Sequence, residues 1–469
     1  MPFRSGSIGY SRFSVIGDAP AAPDQALFDA LRAHLLKPLD RTDGIAQAKE
    51  IASGFCTGRH VFDGEFTYEA CGFGASLLAA MRIDTAKVPS EIKLAYRTMA
   101  EDARRGRDAD GVQALSRGAR REAKEDAEER CRRDLAEGKY RKVGMTPFLW
   151  DLPSGLLLAP ITSDASFQEL KSLLDAACSV RLERRSAGTL ALELAGARGM
   201  TAALEDVLPD AFTERPEGPT REEDEELSSA MHFRAQGRPE IPWAHAAGEP
   251  NDFLGNLFLL WLWWQCDVNE GIIETPQGGP TVALVIERLL DMECAWGVTG
   301  IQNLRGDTPT KVAEAAKALA SGKWPRKVGL TLAAHGQEYR LVLQGDRFAV
   351  SGLALPKPDE ENRLTPRQTL EQRIDHLLTV DRLLVLLFDA FLRERLSAAW
   401  PTRAEQMKEW IAGMGRSAAS RRASADGVVG GGRRSMTDVK PMAAARKSEK
   451  TAVGSAARVA DRAGVAERE

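Results

Sequence analysis

The run from Phe253 to Trp264, FLGNLFLLWLWW, constrains the fold more than any other stretch. It is apolar on every side, so a helix built from it has no face to give to water and must be surrounded. It is too short to span a bilayer, which takes about 20 residues. The chain that carries it therefore needs a core wide enough to enclose a helix. With 469 residues, 43% of them apolar, there is material for one, and the length alone suggests roughly two to four folded units. Aromatic faces also accept any nucleobase. A stacking platform is normally interleaved with basic residues, however, and this run has none. A buried core helix, or one at a dimer contact, is the reading adopted.

Several classes fall away. Met1 to Ile16 carries Arg4, Arg12 and scattered Ser and Gly, with no apolar stretch of the secretory kind. The six cysteines (56, 71, 131, 178, 266 and 294) stand apart from one another, which fits reduced thiols better than a disulfide framework. Cys56 and His60, four apart, could share a helix face as metal ligands, but no second pair accompanies them, and no metal site is expected. Gly72-Phe-Gly74 is a fragment of a dinucleotide motif with Leu77 where the third glycine belongs, so it reads as a Gly-containing strand. No cofactor is expected. No nucleophile elbow or Cys/His signature is present, and no catalytic residue is assigned.

Periodicity gives an α+β protein. A strand and helix fill 7–37, and paired strands are expected at 61–68 and 70–83. Residues 90–137 read as a charged helical hairpin with its loop near 106–111. Its second helix has a seam of small residues at Ala119, Ala123, Ala127 and Cys131, extended by Leu115 and Leu135. Acid-before-base spacing pairs Asp126 with Arg130, Glu128 with Arg132 and Glu129 with Arg133. A β-hairpin turns at Pro153-Ser154-Gly155. A helix follows at 164–178, then strands near 179–184 and 188–195. Asp252 is placed to cap the Trp-rich helix. Strands near 281–287 and 292–301, a helix at 309–321 stopped by Gly322-Lys323, and a three-strand meander over 327–355 come next. A helix from Thr369 to Trp400, closed by Pro401, and a short helix to about Ile411 complete the folded part.

This divides the chain into an N-terminal α/β region (1–88), the charged hairpin (89–145), a β-hairpin and helix region (146–204), an acidic linker or insertion (205–250), a C-terminal α+β region with the Trp-rich helix (251–414) and a basic tail (415–469). The tail has 13 Ala, 7 Gly and 6 Ser and no aromatic residue, so disorder is expected there.

The formal charge is −4, from 63 Lys and Arg against 67 Asp and Glu, but it is unevenly placed. Residues 87–142 hold 16 basic against 12 acidic residues, and the tail 12 against 6. Basic side chains contact phosphates whatever the sequence, and an aromatic among them can stack or wedge. The cluster Lys139-Tyr140-Arg141-Lys142 has that composition. With Arg117, Arg120, Arg121 and Lys124 on the second hairpin helix, it forms the candidate DNA-binding set.

The order of these elements resembles the RdgC family, the recombination-associated proteins of bacteria. The similarity is most specific over 89–180. It begins at Pro89-Ser90-Glu91-Ile92-Lys93 and continues through the charged hairpin, Lys139 to Lys142, Phe148-Leu149-Trp150-Asp151, Gly155-Leu156-Leu157 and a helix ending in Leu173-Leu174. A second stretch, 301–355, is similar too, with a polar-basic loop around Arg305. The run from Phe253 to Trp264 resembles a segment of longer family members. The chain is longer than the usual member and adds the acidic stretch and the tail. The resemblance implies a ring-shaped homodimer that encircles double-stranded and, less tightly, single-stranded DNA without sequence preference and restrains a RecA-type recombinase. It further implies no enzymatic activity, no membrane, and a cytoplasmic, nucleoid-associated location. It adds Arg305 to the DNA-binding set. Two other classes stay open on the residues alone. One is a metal-dependent nuclease using the abundant acids; the other is a protein-interaction scaffold with the Trp-rich helix at a subunit interface.

Overall fold

Strand β1, Ile8–Ile16, buries Ile8, Tyr10 and Arg12 on one side, as strict alternation requires, and then also buries Phe13. The slip in alternation falls where the chain passes between two compact units: one comprises Met1–Arg12 and Arg184–Glu469, the other Phe13–Glu183. They are called here the split unit and the inserted unit. The computed structural model describes residues 3–36, 51–105, 107–108, 111–112, 115–217, 237–245, 248–276, 278–357 and 364–426.

After the second half of β1, the inserted unit contains α1 (Gln25–Ala33), β2 (Ile51–Cys56), α2 (Tyr68–Cys71), β3 (Gly72–Phe73) and β4 (Ser76–Ala86). These are followed by α3 (Ser90–Arg104), β5 (Arg107–Asp108), β6 (Gly111–Val112), α4 (Arg117–Ala136), β7 (Arg141–Asp151), β8 (Leu156–Ala159), α5 (Asp164–Cys178) and β9 (Arg181–Arg184). Its antiparallel sheet runs β2-β4-β7-β8, and the Val15 N–H of β1 donates to Gly155 O at 2.7 Å. Phe55, Met81, Phe148 and Trp150 alternate onto one face, where Phe28 and Leu31 of α1 and Phe167, Leu170 and Leu174 of α5 cover them. Each helix starts at a side-chain cap: Asp24 accepts from Leu27 N–H, and Ser163 from Ser166 N–H.

The split unit holds α6 (Ala187–Gly196), α7 (Thr201–Glu205), α8 (Pro242–His245), α9 (Phe253–Val268), β10 (Ile272–Glu274), β11 (Thr281–Cys294) and β12 (Gln302–Gly306). Next come a 3-10 turn at Pro309–Lys311, α10 (Ala313–Ala320), β13 (Lys323–Ala334), β14 (Gln337–Gln344), β15 (Ala349–Ala354), α11 (Pro366–Arg395) and α12 (Trp400–Asp426). Its sheet, also antiparallel, runs β10-β11-β13-β14-β15 and closes on the first half of β1, with β12 beside β11. The meander turns where left-handed backbone is available, at His335 and Gly336, φ 51° and 71°.

Helix α9 is buried at every residue from Phe253 through Gln265. Phe258 meets Phe348, Phe388 and Phe391 at ring separations of 6.1, 5.3 and 5.7 Å. Trp243 Nε1 donates to Asn256 Oδ1, and Asn256 Nδ2 to Pro325 O, so the one amide in the run is satisfied. A Cβ at Gly255 would lie 2.0 Å from Gly345 O, so the residue must be glycine for the helix to approach this closely. All three tryptophans of the run are inside this unit's own core, which overturns both the stacking platform and the subunit-interface role.

The fold is mixed α+β with a large antiparallel sheet, but several expected elements differ. Residues 61–67 form a loop rather than a strand, and the partner of β4 there is β2. Residues 188–195 are helical: Ser186 caps α6, and its Gly188 N–H donates to the buried Asp252 carboxylate at 2.8 Å. Asp252 therefore caps α6 and not α9, where its side chain makes no cap bond. One strand, β11, replaces the two expected near 281–301. Pro401 opens α12 rather than closing α11, as suits a residue with no N–H to lose in a first turn. Cys56 ends a strand and His60 lies in the next loop, so no helix face joins them. The expected tail is helical as far as Asp426, and residues 427–469 lie outside the described residues, as do 218–236 of the acidic stretch. Among the described residues, no helix is long and apolar enough to cross a membrane.

Candidate nucleic-acid interface

The hairpin of α3 and α4 is held by small residues. Ala123, Ala127 and Cys131 are buried along α4, whereas α3 buries none of its residues. Small side chains four apart let the second helix come close, and the rest of both helices is left to solvent. Arg104 of α3 reaches across to Glu122 and Asp126. That contact takes Asp126 away from Arg130, whose guanidinium sits 4.3 Å over the Tyr96 ring. Glu128 pairs backwards with Lys124, at 3.7 Å, rather than forwards with Arg132. Of the three expected pairs, Glu129 with Arg133 is present, at 3.4 Å.

At the end of α4 the chain turns sharply. Gly138 takes φ 82°, its N–H donates to Leu135 O, and Lys139 N–H donates to Asp134 O. This double bond pattern is a Schellman cap, and it delivers the chain into β7. Tyr140, just after it, is held at φ 62°, a left-handed conformation that side chains with a Cβ rarely adopt. Asp134 ties the corner together. It accepts from Lys139 Nζ at 2.8 Å, from Tyr96 Oη at 2.5 Å and from Tyr140 Oη at 3.5 Å. The bonds from Lys139 and then Tyr96 hold the Asp134 carboxyl below the usual carboxylate range, and the bond to Asp134, with Tyr140 beside it, pushes Tyr96 up to about 12.

A second knot lies at the start of β7. The buried Asp84 on β4 accepts from Arg82 through two bonds of 2.8 Å and from Arg141 at 3.1 Å. Burial alone would raise its pKa, but the two guanidiniums outweigh that and hold it low. Sheet register explains the meeting: Asp84 faces Val143 and Ala86 faces Arg141, so the three charged groups share one face.

The nine candidate residues thus separate into paired cations, unpaired cations and one tyrosine. Arg121 pairs with Glu125 at 3.0 Å, Lys124 with Glu128, Lys139 with Asp134 and Glu137, and Arg141 with Asp84. Arg117, Arg120 and Lys142 are exposed, and none has an ion-pair partner among the described residues. Tyr140 is half-buried and tied to Asp134. Arg305 is exposed on β12, in the split unit, opposite Leu289. Eight of the candidates therefore share the inserted unit, and Arg305 does not. Sequence reasoning left Arg82, Asp84 and Arg132 out of the candidate set. Exposed Arg132 lies on the same α4 face as Arg121, Lys124 and Glu128, a stripe visible in the spacing alone. Among the described residues, no three His, Cys, Asp or Glu side chains group in a way that could hold a metal ion. Compared with protein families and with curated proteins, the chain matches no family model and no curated sequence.

Proposed function

We propose that this chain is a sequence-independent DNA-binding protein that uses the α3–α4 hairpin and the corner after it to grip phosphates. The observation that carries the reading is the set of exposed cations without carboxylate partners among the described residues, Arg117 and Arg120 on α4 and Lys142 at the start of β7, where α4 buries only a narrow seam. The exposed pairs Arg121–Glu125 and Lys124–Glu128 add to it. Such pairs are worth little in water, so a phosphate can take over either cation. Arg141 and Lys139 belong to the same cationic corner and also fix it, through Asp84 and Asp134. By resemblance to the RdgC family, the working form is a homodimeric ring around the duplex, acting on a RecA-type recombinase in a nucleoid-associated setting, with Arg305 contributing from β12.

A titration with a random-sequence duplex tests the reading. Affinity should fall steeply with salt, with a log–log slope of about −0.9 for each phosphate neutralised. The Arg117→Ala/Arg120→Ala/Lys142→Ala variant should weaken binding to all sequences alike and flatten that slope by about 3. Undetectable duplex binding at about 50 mM salt, where counterion release favours association most, overturns it. Light scattering that shows a monomer at binding concentrations removes the ring.

A further inference from the structure

The loop between β2 and α2, where a strand was expected at 61–68, carries the most exposed large apolar side chain among the described residues. Phe62 is 78% exposed. The loop beneath it is tightly knotted. Thr57 N–H donates to Asp63 O at 2.9 Å, Asp63 N–H to His60 O at 3.1 Å, and Phe62 N–H to His60 Nδ1 at 3.3 Å. The Asp63 carboxylate accepts from the Thr57 hydroxyl, from Arg59 and from Glu65 N–H. Arg82 Nη1 donates to Val61 O at 3.2 Å and sets its guanidinium 5.1 Å from the Phe62 ring centre. The ring is thus held on a cation and presented to solvent by a rigid support.

The charges around it are arranged in depth. Three guanidiniums, of Arg59, Arg82 and Arg141, share two carboxylates, those of Asp63 and Asp84. The carboxylates are 4% and 0% exposed, whereas Arg59 and Arg141 are 50% and 33% exposed. The surface offered to a ligand is therefore an aromatic face with guanidiniums at its rim, and the exposed Glu65 beside Arg59 is the third carboxylate of the cluster. A planar, electron-rich ring joined to an anion fits that surface: a base with its phosphate. A base inside a duplex has no free face, so the ligand is a single strand.

We propose that Phe62, supported by Arg82, is a stacking platform for an unpaired nucleobase, with Arg59 and Arg141 receiving the neighbouring phosphates. The proposal rests on the nucleic-acid reading above through Arg141, which lies beside Lys142, and adds a contact selective for single strands. Such stacking is sequence-tolerant and is worth about 1–3 kcal/mol per base.

The test compares a single-stranded oligonucleotide with a duplex of equal length, each labelled for anisotropy, on full-length protein at fixed salt. Phe62→Ala should lower single-strand affinity roughly 5- to 100-fold and leave duplex affinity within about twofold, with unchanged thermal unfolding. Phe62→Trp should restore single-strand binding. A 2-aminopurine base in the strand should change its fluorescence on binding the parent protein and not on binding Phe62→Ala. If the parent binds single strands and Phe62→Ala binds them equally well, the platform is wrong. It is also wrong if Phe62→Trp is as weak as Phe62→Ala, or if the parent binds duplex but no single strand; in neither case is the hairpin reading touched. A parent protein that binds neither form removes both.

Discussion

Helices α4 and α9 are both capable helices of similar length, and the chain treats them in opposite ways. Helix α9 is buried from Phe253 through Gln265, whereas α4 buries only Ala123, Ala127, Cys131 and Asp134. The first is fixed by packing on all sides, so its side chains are chosen for shape. The second is fixed along one seam of small residues, which leaves its remaining surface open to charge. A helix that contributes little core can change its surface at small cost to stability. That freedom is what a phosphate-binding element needs, and it explains why the candidate interface lies on the hairpin and not on the tryptophans.

The contrast can be broken at several points. Trp263→Ala in α9 should cost about 3–5 kcal/mol, read from denaturant midpoints; a loss below about 1 kcal/mol would mean the helix is not a core element. Next is Asp252, which joins α6 to the start of α9. Burial pushes its carboxyl up to about 6, against hydrogen bonds from Ser186 and from the N–H groups of Gly188 and Glu249. The folded chain therefore holds a proton that the unfolded chain has released between about pH 4 and 6. Stability should fall as pH rises through that window, by on the order of 3 kcal/mol, and Asp252→Asn should flatten the profile there. A parent profile already flat from pH 4 to 6 would show that the carboxylate is accommodated without cost.

On the hairpin the effects should shrink. Ala127→Leu, which overfills the seam, should cost about 1 kcal/mol and weaken duplex binding by splaying α3 from α4. No change in either would show that the helices do not depend on close approach. Arg117→Ala/Arg120→Ala/Lys142→Ala should move stability by less than about 0.5 kcal/mol while lowering duplex affinity strongly. Equal losses in both would erase the distinction between the two helices. Smallest is Lys124→Ala, which removes one exposed pair with Glu128 and should change stability by about 0.3 kcal/mol.

What could be read from the sequence follows the same divide. The burial of 253–264, the Ala123–Ala127–Cys131 seam, helix α5 and the meander over 327–355 were legible because each depends on residues adjacent along the chain. The pattern at 188–195 was not. Thr189 to Leu194 alternates like a strand, and the helix is decided by Ser186 and by a carboxylate 64 residues away. At the interface, the basic cluster was legible as composition, but its working parts were not. Arg141 meets Asp84 only because β4 and β7 pair in one register, and Tyr140 is drawn to Asp134 by a turn whose geometry depends on Gly138. No local signal marked Phe62, whose support comes from Arg82 on another strand.

The sharing of β1 between the two units has a consequence for how the chain is made. The buried Arg12, which ion-pairs with Asp381 and donates to Phe348 O, waits for a partner 336 residues further on. At about 5–20 residues per second, synthesis of that stretch takes roughly 20–70 s. The inserted unit has all its strands within Phe13–Glu183 and can assemble on the ribosome in the meantime. The split unit cannot close until its last strands emerge, because its sheet borrows β1, made well before them. The edge of β1 at Ile8 and Tyr10 thus lacks its β15 partner for the better part of a minute, and a slow, late pairing step should dominate refolding.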